Sequence, residues 1–501
     1  MTGIAVLTAC GGGSTDASSG SAGKTELRIG LQTAGTSLNP AVNGSGSSTQ
    51  ISALTNAAIT HIQPDGSVSP GLATSWHYVG SGNTQFQFTL RQDAKFSDGS
   101  PVTSQAVKGW LEYFAKAGGS FAKSIPISSI DTTDDHTVVL HLSSPNPIVP
   151  YLLSEVFNIG FVASPAAVAD PASLATNPAG AGPYQVVPSE SVANDHYTFV
   201  PNKHYYDQSK IKYNKVTVKI IPQASTMLAA LQSNQLDVAS GDVSTAEAAS
   251  SAGFNVVSGP FGWAGILIID RSGTTSPALA DVRVRQALNY AVDRKAIASG
   301  VLGKGAIPTS QPITTDGYDP SYDDYYSYDP DKAKALLSAA GYGNGFSLNV
   351  ICPVYYGAAG CPLTEAVAQD LSKVGVKLTV KNNATQSEHV KLLVGGTYPA
   401  AGFLQNPNVP MFQLYGFDFA PKAVLNHPGW NDPTLDKLWQ DGSAAADPAP
   451  YWKQMTARVV TEAYQLPIAS TVAHWYVAKH VTGVKFSPAS SSPLPTEWSP
   501  N

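Results

Sequence analysis

The chain has 501 residues with 30 Lys and Arg against 36 Asp and Glu, a net charge of −6, which argues against a nucleic-acid partner that would need a basic face. Hydrophobic residues make up 43% and charged residues only 13%, so large cores can be filled while the surface must be built mainly from Ser, Thr, Asn, Gln, Gly and Ala. The length exceeds what one core supports, and about three structural units or two large lobes are expected at roughly 150 residues per unit.

In chain order, Leu7-Thr8-Ala9-Cys10 is a small-residue tetrapeptide ending in cysteine, followed to Gly23 by a Ser/Gly/Ala stretch with the composition of a flexible tether. The tetrapeptide resembles a bacterial lipoprotein lipobox, which would make Cys10 the lipidated residue that anchors the chain to the outer face of the cell membrane. None of the residues before Cys10 is Lys or Arg; the basic and apolar regions of a secretory signal are expected upstream of Met1 or to have been trimmed. Apolar runs such as Ile266-Leu267-Ile268-Ile269 are of strand length, far below the ~18–20 residues of a membrane span.

Residues 25–30 read as a first strand, 39–48 as a Gly/Ser/Asn-rich loop, and 51–62 as a helix ending near the turn Pro64-Asp65-Gly66. Phe86-Gln87-Phe88-Thr89-Leu90 alternates at period two, and Val138 to Leu142 reads similarly as a strand. Asp281 can cap a helix over 281–294, with Val284, Ala287, Leu288 and Ala291 on one face. Asp329 and Pro330 open another that stops at Gly341, and a helix over 363–373 precedes a strand over 374–380. Cys352 and Cys361 in an exported chain read as one local disulfide, worth about 2–3 kcal/mol for so short a loop. Alternating strands and helices indicate α/β layers.

A set of blocks occurs in order: Ser37-Leu38-Asn39-Pro40; Pro70-Gly71-Leu72-Ala73-Thr74-Ser75-Trp76; Phe88-Thr89-Leu90-Arg91 with Lys95-Phe96-Ser97-Asp98-Gly99-Ser100-Pro101; Ala181-Gly182-Pro183-Tyr184; Leu231 to Asp237; Asp281-Val282-Arg283-Val284-Arg285-Gln286-Ala287; and Tyr328-Asp329-Pro330-Asp331. Together they resemble the extracellular solute-binding family 5 proteins of the oligopeptide, dipeptide and nickel type, which feed ATP-binding cassette (ABC) importers. Ala181 replaces the threonine of the "G-T-G-P-Y" turn, and Asn234 the glycine of "L-x-x-G-x-x-D". The blocks themselves read as structural, with Asp98-Gly99 in a turn and Arg283 and Arg285 paired with carboxylates or covering apolar surface.

The resemblance implies a two-lobed α/β periplasmic-binding-protein-like fold of type II, the large peptide-binding type, with an extra subdomain inserted in the first lobe. Residues 24–50, 177–265 and 465–501 would form lobe I, 51–176 the inserted subdomain, and 266–464 lobe II, with 1–23 as lipobox and tether. Hinge closure would enclose the ligand.

In peptide-binding relatives a Gly-Trp-x-x-Asp segment supplies an Asp for the peptide's ammonium. The matching Gly402-Phe403-Leu404-Gln405-Asn406 places Phe403 at the Trp and Asn406 at the Asp. An enclosed ammonium would then lack a charge partner unless another acid takes the role, which makes an oligosaccharide an alternative to a peptide. Asn43 and Ser45, in the loop after the first strand, and Trp263, Phe403, Gln405 and Asn406 are the expected ligand contacts. An exposed loop remains the other reading for Asn43 and Ser45, and a core tryptophan for Trp263.

The Gly/Ser run 18–25 precedes a strand and does not fit a phosphate-binding loop. The H-E-x-x-H and G-x-S-x-G signatures do not occur, the histidines fall at spacings unsuited to a metal, and the Tyr/Asp cluster 318–328 lacks a calcium-loop pattern. No metal or cofactor is expected. The reading is a non-enzymatic, monomeric, extracytoplasmic substrate-binding lipoprotein; its permease and ATPase partners are implied by the resemblance. The competing class is an extracellular glycan- or peptide-active hydrolase.

Overall fold

Leu27, Ile29 and Leu31 are all buried on one face of the strand Glu26–Leu31, and Gly30 is buried on the other against Met227 and Leu236, as in a strand covered on both faces. The computed structural model describes residues 26–501 except 36, 44–46, 120, 315, 406–410, 427–429 and 488–491, and the backbone alone at 260, 355, 386 and 387. Cys10 and the tether, Ser45 and Asn406 lie outside the described residues.

Glu26–Leu31 runs parallel to Lys215–Ile220 on one side and Val238–Gly241 on the other. A second parallel set places Phe346–Pro353 between Val376–Asn383 and Ala400–Gln405. Between the sets lie two long antiparallel strands, Asn255–Ile268 and Leu466–Val477, and the whole forms one eleven-stranded sheet. Each set is attached to a different crossing strand. Val238–Gly241 pairs with residues 474–477 of one, and Ala400–Gln405 with residues 263–268 of the other.

Among the described residues, 259–262 and 471–473 therefore pair only with each other, as a bare two-stranded ribbon linking the two lobes. The register slips between Pro260 and Gly262, and Gly262 has φ 138°, a conformation open to glycine and the mark of a bulge that bends a strand.

A separate four-stranded antiparallel sheet, Ala73–Tyr78, Gln85–Leu90, Thr137–Leu142 and Ile127–Thr132, packs Phe86 and Phe88 into one core with Trp110 and Phe114 of the helix Ser104–Lys116. Its hairpin tip reaches across to the segment that follows the second parallel set. Asn83, at φ 51°, donates from Nδ2 to the carbonyls of Ser443 (2.9 Å) and Ala445 (2.8 Å) at the end of the helix Pro433–Ala444. Helix ends leave carbonyls unpaired, and here another body supplies the donor. Ile148 likewise packs against both cores.

Two expected helices are shorter than their patterns suggest. The 51–62 helix is Ser47–Thr55, and Thr60–Ile62 is a strand paired with Val68–Pro70. Asn56 Nδ2 turns back onto Ser52 O at 3.0 Å, while Gly180 and Gly182 approach the Thr55–Asn56 backbone too closely to admit a Cβ. The 281–294 helix is Val282–Tyr290 and then Arg294–Ile297. Arg294 is buried and donates to the carbonyls of Asn289 (2.8 Å), Pro467 (2.8 Å) and Tyr326 (3.0 Å), tying the helix end to a crossing strand.

Arg283 pairs with Asp281 at 2.5 Å. Arg285 meets carbonyls in place of a carboxylate: it is buried and donates to the carbonyls of Leu279, Ala280 and Glu462. The helices Pro330–Ala339 and Cys361–Ser372 and the strand Val376–Asn383 lie within a few residues of where the sequence pattern puts them.

Cys352 and Cys361 are disulfide-bonded with Cα atoms 5.0 Å apart, fastening the end of Phe346–Pro353 to the start of the next helix. Replacing both by Ser should lower unfolding stability by about 2–3 kcal/mol, read as a lower urea midpoint. Reductant should shift the wild type by the same amount and leave the double variant unmoved; an unshifted wild type would contradict the tie.

Candidate ligand cleft

In open α/β sheets ligands bind beyond the carboxyl ends of parallel strands, so strand direction locates the site. Val238–Gly241 is antiparallel to Leu466–Val477, with Val238 opposite Val477 and Gly241 opposite His474. The first parallel set therefore points its carboxyl ends, Leu31, Ile220 and Gly241, along the ribbon toward the second set. Ala400–Gln405 is antiparallel to the other crossing strand, with Ala400 opposite Ile268 and Gln405 opposite Trp263. That set points Pro353, Asn383 and Gln405 back toward the first. The two carboxyl edges face each other across the ribbon, separated by on the order of 15 Å at ~3.3 Å per residue.

The second edge brings three predicted residues together. Trp263 is 1% exposed and lies opposite Gln405 in register. Its indole Nε1 donates to Gln405 Oε1 at 2.9 Å. The half-buried Phe403 ring stands 6.0 Å from the indole. Gln405 is 7% exposed. Trp263 thus presents no open face in this structure, and its polar edge is committed to Gln405.

On the first edge, Asn43 is buried and donates from Nδ2 to Ser37 O at 2.6 Å, closing its own loop. Asn39 caps the 3-10 turn Pro40–Val42 and donates to Tyr113 Oη at 2.7 Å, fixing the loop to the helix Ser104–Lys116.

Some groups escape sequence reasoning. Asn383, the last residue of its strand, is fully buried, and its Nδ2 has no partner among the described residues. Arg271, three residues past the crossing strand, is 2% exposed. Its guanidinium donates to Ile268 O at 2.5 Å, to Asp418 O and to Asn426 Oδ1 at 3.1 Å, between the rings of Phe419 and Trp430. A buried arginine that satisfies backbone carbonyls leaves no periodic signal in a sequence.

A cavity of about 220 Å³ and an adjoining one of about 190 Å³ lie away from these edges, where the segment 53–71 meets 205–210 and 483–497. Both are lined by His61, Glu155 and Glu497. Three ion pairs lie there: His61 Nδ1 is 2.5 Å from Glu155, Lys210 3.7 Å from Glu497, and Arg91 2.6 Å from Asp93. Among the described residues, no cluster of three or more His, Cys, Asp or Glu could hold a metal, and no helix is long and apolar enough to cross a membrane.

Residues 67–422 match the family described as bacterial extracellular solute-binding proteins, family 5 Middle. The chain belongs to that family. It is 26% identical to the probable D,D-dipeptide-binding periplasmic protein DdpA of Escherichia coli K12, over 84% of this chain and 83% of the relative. It is 27% identical to the dipeptide-binding protein of the same organism, over 84% of each. The structure is similar to that of AgaA of A. tumefacien R10 in complex with agropinic acid, with a TM-score of 0.78 and 24% identity over 95% of this chain and 99% of the other. At that identity the likeness shows the fold: mixed α/β and two-lobed. In this family 5 chain, three residues of the ordered sequence blocks set local backbone geometry. Gly99 takes φ 89° in its turn, and Asp281 and Asp329 cap helices.

Electrostatics behind the second edge yield a test. Asp418 is fully buried, and among the described residues neither carboxylate oxygen has a hydrogen-bond partner. Burial, opposed by the Arg271 charge, pushes its pKa from 3.8 up to about 7. A carboxyl whose folded pKa is raised contributes most below its unfolded pKa and loses that contribution as pH rises toward the folded value. Asp418→Asn should therefore be more stable than the wild type at pH 8, by on the order of a few kcal/mol. The gap should close by pH 4 in urea unfolding; a gap independent of pH would contradict the assignment.

Proposed function

We propose that this family 5 chain captures peptides or a related small solute outside the cytoplasm for an ABC importer, by closing its two facing carboxyl edges on the ligand. The observation that carries the reading is strand direction: two parallel sets aimed at each other, joined by a ribbon with a bulge at Pro260–Gly262. A two-stranded ribbon bends more easily than the sheets it joins, and closure about such a hinge is the motion a membrane partner can sense. Asn43 on one edge, and Trp263, Phe403 and Gln405 on the other, belong to the proposed site; Ser45 and Asn406, outside the described residues, are added to it from the sequence resemblance alone.

In this reading residues 24–50, 177–265 and 465–501 move as one lobe together with the insertion 51–176, and 266–464 as the other. Cys10 carries a lipid that keeps the protein at the outer face of the membrane. The permease and ATPase are separate subunits, and the binding protein acts as a monomer without turnover. The names of the relatives support peptides as ligands. A second reading, an oligosaccharide, is supported by the half-buried Phe403 ring beside an uncharged amide, since aromatic faces and amides suit sugars.

The test is a thermal-shift screen of the protein after unfolding and refolding to remove bound ligand. Dipeptides, longer peptides, oligosaccharides and Ni²⁺ are the probes. A true ligand at about a hundred times its Kd stabilises by ~2.7 kcal/mol. Peptides should shift the wild type, and Phe403→Ala should weaken the best of them about tenfold. Stabilisation by sugars alone would favour the second reading. Turnover of peptide or glycan would contradict both.

A further inference from the structure

We infer that Trp263 fixes the hydrogen-bonding polarity of the ligand site. By holding the carboxamide oxygen of Gln405, it makes this strand end present N–H donors, so the solute group bound there is an acceptor oxygen, a carbonyl or carboxylate, and not an ammonium. This rests on the proposed reading of the facing edges as the binding cleft.

The chemistry begins with the indole. Trp Nε1–H can only donate. Within 2.9 Å of it, in a pair that is 1% and 7% exposed, Gln405 must turn its oxygen inward. The opposite orientation would set an N–H against an N–H and leave both without a partner. An amide orientation otherwise open to two assignments is here decided by a group that has no acceptor.

Two strands enforce the contact. Trp263 and Gln405 are direct register partners, and Phe403 packs against the same indole from two residues back on the same face. Gln405 is thereby left with its NH₂ directed away from Trp263. That nitrogen has no partner among the described residues and is not one of the buried unsatisfied atoms, so it faces accessible space. It stands at the carboxyl end of its strand, the edge that faces the other lobe.

A site that presents donors rejects an ammonium, which is also only a donor, because enclosing the two together leaves each without an acceptor. Sites built around one hydrogen-bond polarity discriminate strongly against the opposite. Trp263 is in this sense a positioning residue, acting on the solute through Gln405.

The test is calorimetric titration of the wild type, Trp263→Phe and Gln405→Glu with three probes: Ala-Ala, its N-acetyl form and its C-terminal amide. N-acetylation, which replaces an ammonium with a carbonyl, should leave wild-type affinity within about threefold or improve it. The amide reports whether a carboxylate is the oxygen bound. Gln405→Glu, which places an acceptor where a donor stood, should weaken the best wild-type probe at least tenfold. Trp263→Phe keeps an aromatic ring but frees the amide to turn, and should move the ratio of N-acetyl to free affinities at least threefold toward the free dipeptide. A merely structural tryptophan would lower all three affinities together and leave that ratio unchanged. A wild type weakened more than tenfold by N-acetylation, a Gln405→Glu variant that binds its best probe as tightly as the wild type, or an unchanged ratio in Trp263→Phe would each overturn the assignment while leaving peptide capture intact. Failure of all three probes together with longer peptides would overturn the peptide reading and this assignment with it.

Discussion

Residues 255–266 of one strand pair with the returning strand Leu466–Val477, but each of the two strands holds a different lobe on its outer edge. This arrangement forces a gap. Where Val238–Gly241 has ended and Ala400–Gln405 has not begun, two strands must span alone. The lobes are coupled through this span, and the carboxyl edges of both parallel sets open onto the same space. The bulge at Pro260–Gly262 sits within that span. A proline that cannot donate and a glycine at φ 138° are what a bending ribbon requires.

The rest of the molecule limits that freedom. Asn83 and Ile148 tie the small sheet to the segment after residue 405, so the ribbon is not the lobes' only connection in this structure. Arg271 and Arg285 each satisfy backbone carbonyls from distant stretches of the second lobe, and Arg294 ties that lobe to Pro467 of a crossing strand. They stiffen the second lobe as a unit, at the expense of keeping cations out of water.

Much of the architecture was legible from pattern. The pattern over 25–30 marked the first strand, and Asp281 and Asp329 marked helix starts, because strand pattern and capping are local. The helix expected over 51–62 failed for a tertiary reason: Gly180 and Gly182 press on Thr55–Asn56 from far along the chain. Arg285, read as pairing with a carboxylate or covering apolar surface, is buried and gives its guanidinium to backbone carbonyls, a choice that no spacing encodes. At the site, Trp263, Phe403 and Gln405 were named as separate candidates. Their meeting depends on a strand register across 142 positions of sequence. The commitment of the indole to Gln405, and with it the polarity of the edge, could be read only from the fold.

The central claim is that solute is held between the two carboxyl edges. A crystal structure of the protein with a stabilising dipeptide addresses it most directly. The account predicts density between the loop that follows Leu31 and the strand end at Gln405, with the Gln405 nitrogen on a ligand oxygen. Density instead in the cavity lined by His61, Glu155 and Glu497, with the facing edges empty, would contradict it.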